Sequence, residues 1–309
     1  MTEVNIIKID GKPLEKLIEV ISIGIGKLYK PTEIRKVADA DAYKIKVIEK
    51  ALAKSRANSN LIDIESQKKI ENRLLHQEAK RQLNIENVTF KTAEHLQHET
   101  EISSDPLDED WITRFFNTVQ DVSNEELQDL WSRILLGEIK SPKSFSLRTL
   151  EFLKNLSQED AKLLTKVAEF GLSTGVSSFL FYKPCHKSYS QKWNFLYPDF
   201  LYLVELGIIN PNDAEYSIID LVPGSYLRFK YGNKNEILFE RIDGTAHFGI
   251  TITPFTKLGN ELLKLIEIQP NEEYLKEFVQ TASKNRSDIL AKVGSKLNDN
   301  SAFYIYEEI

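Results

Sequence analysis

Two histidines, His95 and His98 in "HLQH", lie one helical turn apart with Glu94, Glu99 and Glu101 around them. Imidazoles at i, i+3 share a helix face and can share a metal ion. Zinc, however, takes three or four protein ligands, and the chain has neither an HExxH motif nor a second cysteine. A solvated helix end is the better expectation. Cys185, the single cysteine, is followed by His186 in "YKPCHKSYS". Lys183 and Lys187 would lower the thiol pKa. Neighbouring side chains on an extended segment point to opposite faces, so His186 is badly placed to act as the base for Cys185. The acidic run "DPLDED" reads as a solvated linker rather than a carboxylate dyad. No GxSxG elbow, kinase signature or deaminase signature is present. The sequence therefore leads us to expect no catalytic residue, no metal and no cofactor.

Basic residues offer a second kind of chemistry. Arg228, Lys230, Lys234 and Arg241 fall on paired short runs, "YLRFKY" and "EILFERI", beside Tyr226, Phe229 and Tyr231. They would suit the backbone or bases of a nucleic acid. The helix expected at residues 197–206, which would have to enter a groove, carries Asp199 and Glu205 and no Arg, Lys, Asn or Gln. Lys27, Lys30, Arg35 and Lys36 form another basic cluster, behind "VISIGIGKLY". That run is too broken by charge to span a membrane, and "GIG" is neither a dinucleotide nor a Walker loop. Leu14, Leu17, Ile18, Ile21, Ile25 and Leu28 recur at helical spacing and predict a packed helix. Gly24 and Gly26 would permit close packing or a kink. The basic residues after it would meet a partner or an anionic membrane surface.

These groups need elements to hold them. The chain has 309 residues, 41% hydrophobic and 28% charged, with a formal net charge of −6. This is a multidomain globular composition without a global field for nucleic acid. Helices are predicted at about 32–56 and 64–83, with a resumption at 92–98. Residues 94–110 read as an acidic hinge in which Asp105 would cap and Pro106 would open a helix. Trp111, Ile112, Phe115, Phe116 and Val119 form a heavy aromatic face. "SNEE" at 123–126 and "SQED" at 157–160 read as helix caps, and Gly137 as a helix end. After Gly175 short β-branched runs alternate with turn residues. A helix ending at Gly207 and another in "TPFTKLGNELLKLI" accompany them. The end of the chain reads as a helix from Glu272, a polar stretch and a strand in "AFYIYEE". The fold expected is mainly α with a C-terminal α+β part, in which N-terminal and central helical modules precede a winged-helix-like domain. Its expected divisions are residues 1–104, 105–156, 157–270 and 271–309.

Residues 122–161, "VSNEELQDLWSRILLGEIKSPKSFSLRTLEFLKNLSQEDA", resemble the signature of an uncharacterised bacterial family, a domain of unknown function. Residues 18–45 resemble its N-terminal region and residues 253–266 its ending. The N-terminal piece is also similar to the opening of abortive-infection proteins of the Abi-alpha kind, which implies a role in defence against phage. The central motif names helix faces and a turn, so the resemblance carries over no catalytic residue. Within it Trp131 is expected in the core, while Arg133, Glu138 and Arg148 would tie the turn after Gly137.

The leading expectation is a non-enzymatic interaction protein, a sensor or effector in anti-phage defence working through its N-terminal helices. It would have a protein partner or a second copy of itself, and peripheral contact with the inner membrane from the cytoplasm. The alternatives are a nucleic-acid-binding regulator using the basic hairpin and a hydrolase or nuclease of unrecognised type.

Overall fold

The computed structural model describes residues 11–25, 64–97, 99, 102–181, 191–232, 235–244, 246–268, 271–284, 286–296 and 304–308. The chain divides into two compact units, Met1–Lys154 and Asn155–Ile309.

The described elements of the first unit are all helical: α1 (Lys12–Ile25), α2 (Ile64–Leu96), α3 (Glu109–Val119), α4 (Glu125–Lys140) and α5 (Leu147–Lys154). In α1 Leu17 and Ile21 of the expected stripe are fully buried, together with Val20, while Leu14, Ile18 and Ile25 are half-buried, and the helix packs on α3. A β-carbon at Gly24 would overlap the ring of Phe116, so the glycine is what lets the two helices approach. On α3, Trp111 stacks on Phe115 with ring centroids 5.2 Å apart, and Phe115 meets Trp131 of α4 edge-on at 5.6 Å. The Trp111 Nε1–H donates to the Phe145 carbonyl at 2.8 Å, so burying the indole leaves no orphan donor.

Helix boundaries differ from expectation where a stronger polar partner is at hand. The cap of α3 is Asp108, whose carboxylate accepts from Trp111 N at 2.9 Å, and not Asp105. The cap of α4 is Asn124, because the Ser123 hydroxyl is engaged by Asn84 of α2. Gly137 lies inside α4, which runs on to Lys140 while the glycine makes room for the Phe145 ring. The single helix α2 replaces the two pieces predicted there.

The second unit comprises α6 (Gln158–Ala168), β1 (Leu172–Ser173), β2 (Ser178–Leu180), α7 (Tyr197–Glu205), β3 (Ala214–Leu221), β4 (Tyr226–Tyr231), β5 (Asn235–Arg241), β6 (Ala246–Pro254), α8 (Lys257–Leu263), α9 (Glu272–Ala282), β7 (Ile289–Lys296) and β8 (Tyr304–Glu308). Its strands form one eight-stranded antiparallel sheet in the order β3-β6-β2-β1-β4-β5-β7-β8. The winged-helix expectation fails here. A wing is a short hairpin beside a helical core, whereas the hairpin β4–β5 lies inside a broad sheet that is itself the platform of the core. Leu227, Phe229 and Tyr231 alternate with exposed residues on β4. Ile237 and Phe239 stand beside them on β5, and α9 covers this face. Phe278 meets Phe229 at 5.7 Å and Phe239 at 5.8 Å, both edge-on. Two buried tyrosines close the layer. Tyr231 Oη donates to Glu169 O at 2.5 Å and accepts from Asn271 N at 2.8 Å. Tyr274 Oη donates to Phe170 O and accepts from Phe181 N, both at 2.9 Å.

The sheet is narrow at its centre. Only the two residues of β1 and the three of β2 join the β3–β6 pair to the four strands on the other side.

Candidate functional site

The α2–α4 contact is stitched by polar groups. Asn84, 4% exposed, donates through Nδ2 to the Gln120 carbonyl at 2.8 Å and to Ser123 Oγ at 3.3 Å. Its Oδ1 accepts from Gln128 Nε2, which also donates to the Val122 carbonyl at 2.9 Å. The two amides thus pin the α3–α4 turn to α2. Two turns further along α2, Thr92 Oγ1 donates to Val88 O at 2.8 Å and to Ser132 O at 3.3 Å. Beside this contact a groove of about 540 Å³ is lined by Asn87, Phe90, Lys91, Glu94, Ser123, Glu125 and Gln128. Lys91 and Glu125 face each other across it at 3.7 Å.

His95 lies on the same seam with its Nε2 3.5 Å from Asp129, which also takes Arg133 at 3.2 Å. That arrangement links two helices through one imidazole and one carboxylate. His98 and Glu101 lie outside the described residues, as do Cys185 and His186. Among the described residues no group of three or more His, Cys, Asp or Glu could hold a metal ion.

The central motif is assembled around Glu138, which is 1% exposed. Its two oxygens accept the main-chain N–H of Lys143 at 2.6 Å and of Phe145 at 3.0 Å. Lys143 stands at φ 70°, a left-handed conformation uncommon for a residue with a β-carbon. The carboxylate therefore holds the turn after Gly137 through the backbone. Trp131 is fully buried, Arg133 pairs with Asp129 at i, i+4, and Arg148 is exposed on α5.

The basic hairpin residues are spread over different environments. Arg228 Nε sits 3.2 Å from Glu236, a carboxylate only 2% exposed, and its guanidinium lies 5.6 Å over the Tyr226 ring. Lys230 is exposed on the same outer face of β4. The opposed strand places Glu236 and Glu240 on that face, so its charge is mixed. Arg241 is 3% exposed and turned inward, bonded to Asp288 and donating through Nε to the Gly244 carbonyl at 3.2 Å. Lys234 and the basic cluster Lys27, Lys30, Arg35 and Lys36 lie outside the described residues.

Two features escaped the sequence reading. The first half of α2 shows no buried side chain among those described from residue 66 to 80. Its expected inward stripe is half-open, with Leu74 38% exposed. Leu196, which precedes α7, and Tyr197, Leu201 and Tyr202 on it are 45%, 50%, 49% and 41% exposed. The signal was present in "YPDFLYLVE", which is apolar on nearly every side, although a surface helix needs only one such stripe.

Nearly all of α2, the later described helices of the first unit and most of the strands of the second lie within one family match. Residues 68–279 match the family described as Protein of unknown function (DUF2806), and the chain belongs to it. No curated protein and no solved structure matches the chain. No helix among the described residues is long and apolar enough to cross a membrane.

Proposed function

We propose that this chain is a non-enzymatic interaction protein acting through its N-terminal helices, a sensor or effector in bacterial anti-phage defence. One observation carries the reading: the half-open stripe of α2. This helix has 33 residues, yet among its described side chains the buried ones begin at Asn84. The preceding part, about five turns long, presents Ile70, Leu74, Leu75 and Ala79 with none of them buried. Helices in water are held mainly by packing of an apolar face rather than by propensity, and a partner helix laid on this stripe would supply that packing. The stripe of α1 is by contrast committed to α3. The defence setting is what the resemblance read in residues 18–45 to the opening of abortive-infection proteins implies.

The test compares the wild-type chain with Leu74→Glu/Leu75→Glu in a bacterial host challenged with phage. Because the stripe is half-open, the variant should keep its far-UV circular dichroism and thermal unfolding. It should lose both phage protection and a co-purifying protein that resists added salt. A variant that still protects, or a wild-type chain that carries nucleic acid removable by salt, would overturn the proposal.

A further inference from the structure

We propose that the outer face of α7 is a second docking surface, whose occupant is an amphipathic helix of a protein partner bearing apolar anchors flanked by Lys or Arg. The surface is independent of α2 and is built on a fixed helix. Phe200 and Leu203 are buried beneath α7. Asp199 Oδ2 accepts from the Leu196 main-chain N–H at 3.0 Å and from Lys166 of α6 at 3.1 Å. The C-terminus closes in a Schellman motif. Gly207, at φ 72°, donates to Val204 O, and Ile208 donates to Leu203 O, both at 2.9 Å. These ties prevent α7 from rolling to bury its exposed residues.

The exposed side is large and apolar, with four bulky side chains within seven residues. Large apolar side chains exposed this close together mark contact sites, and tyrosine is among the residues that dominate interface energetics. The rim selects the partner's charge. Tyr202 Oη donates to Asp160 Oδ1 at 2.7 Å. This hydrogen bond, then burial, then the nearby carboxylates of Asp160, Glu205 and Glu159 push the Tyr202 pKa up. The helix itself has no cation, and the nearby Lys166 is engaged by Asp199. Asp160 is itself buried, but Glu159 and Glu205 are exposed, and an apolar face with these carboxylates beside it complements leucine-like anchors flanked by lysine or arginine, whose cations also favour tyrosine rings. The same rim repels nucleic-acid phosphates.

The probe is a synthetic helical peptide with leucines on one face and lysines on its flanks, compared with the same peptide carrying glutamates. Binding to the full-length chain is read by fluorescence anisotropy. The lysine peptide should bind at least about tenfold more tightly than the glutamate peptide, and Leu201→Glu should remove about tenfold or more of that affinity. Glu159→Lys/Glu205→Lys should reverse the preference. Leu74→Glu/Leu75→Glu should leave it unchanged, which separates this surface from that of α2. Equal affinity for the two peptides overturns the proposal, as does binding that survives Leu201→Glu in a folded variant. Self-association by sedimentation that Leu201→Glu abolishes would also overturn it, by making the occupant a second copy.

Discussion

Replacing Glu138 tests whether a carboxylate can be the keystone of a turn without taking part in any reaction. In Glu138→Ala two main-chain donors lose their acceptor. The Phe145 N–H is buried and keeps the full cost of an unmet donor to a charged group, about 2–3 kcal/mol. The Lys143 N–H is partly open to water and should cost about 1 kcal/mol. The expected loss is therefore about 3–4 kcal/mol. Glu138→Gln keeps one oxygen and turns an NH₂ toward the other donor, so it should cost about half as much. Lys143→Gly relieves the left-handed backbone and should stabilise by about 1 kcal/mol. The assay is urea unfolding of the full chain followed by hydrogen exchange at residues 138–146. Exchange localises the effect in a protein of two units, where a single two-state transition is not guaranteed. The Trp111 indole, bonded to the Phe145 carbonyl, gives a fluorescence signal from the same turn. If Glu138→Gln unfolds within about 0.5 kcal/mol of wild type, or Glu138→Ala costs no more than a surface substitution, the carboxylate does not hold this turn.

Three further outcomes follow from packing and charge. Gly24→Ala would gain about 1 kcal/mol from helix propensity on an open surface, but the overlap with Phe116 should make it destabilising by about 1–3 kcal/mol in thermal unfolding. Tyr231→Phe removes a hydroxyl that both donates and accepts, and should cost about 1–3 kcal/mol. Burial pushes the Tyr231 pKa above its unfolded value of about 10, so its contribution is full below that pH and is lost as pH rises beyond it. Alkaline unfolding of wild type should accordingly be steeper than that of Tyr231→Phe. The hydrogen bond from Arg286 holds the Asp288 carboxyl below the usual carboxylate range despite the opposing effect of burial. That stability is present above the unfolded pKa of about 3.9 and is lost as pH falls through the lower folded value. Asp288→Asn, which also leaves buried Arg241 without its charged partner, should unfold earlier at neutral pH and show a shallower acid transition.

What could be read in advance was local. The aromatic face of α3, the Ser157 cap of α6 with its Asp160 partner, and the Gly207 end of α7 were legible because a few adjacent residues determine each. The cap of α4 was misplaced by one residue, since Asn84, distant in sequence, claims the Ser123 hydroxyl, and that of α3 by three, since Asp108 rather than Asp105 accepts from Trp111 N. The strands β2 to β6 were visible as β-branched runs. Strand β7 was not, because Ile289, Ala291 and Val293 are small or separated by Lys292, Gly294 and Ser295, and only pairing with β5 makes them a strand. Mistaking a broad sheet for a wing followed from that omission. The basic residues illustrate the same limit. Nothing in "EILFERI" says that Arg241 turns inward to Asp288 while Arg228 stays at the surface.

The narrow centre of the sheet has a kinetic consequence. In the ladder β4-β5-β7-β8 the pairs β4–β5 and β7–β8 join strands consecutive in the chain, whereas β6, α8 and α9 lie between β5 and β7, and β3–β6 pairs across the intervening hairpin β4–β5. The β5–β7 pairing is thus distant in sequence, Asn235 against Ser295, and the β1–β2 hairpin must capture distant partners on both sides, Leu172 against Tyr231 and Phe179 against Pro254. Pairings of high sequence separation are slow because the loop must close before the contact rewards it. Substitutions at Leu172, at Phe179 and along the β5–β7 seam should therefore slow refolding, whereas those on β8 should chiefly hasten unfolding.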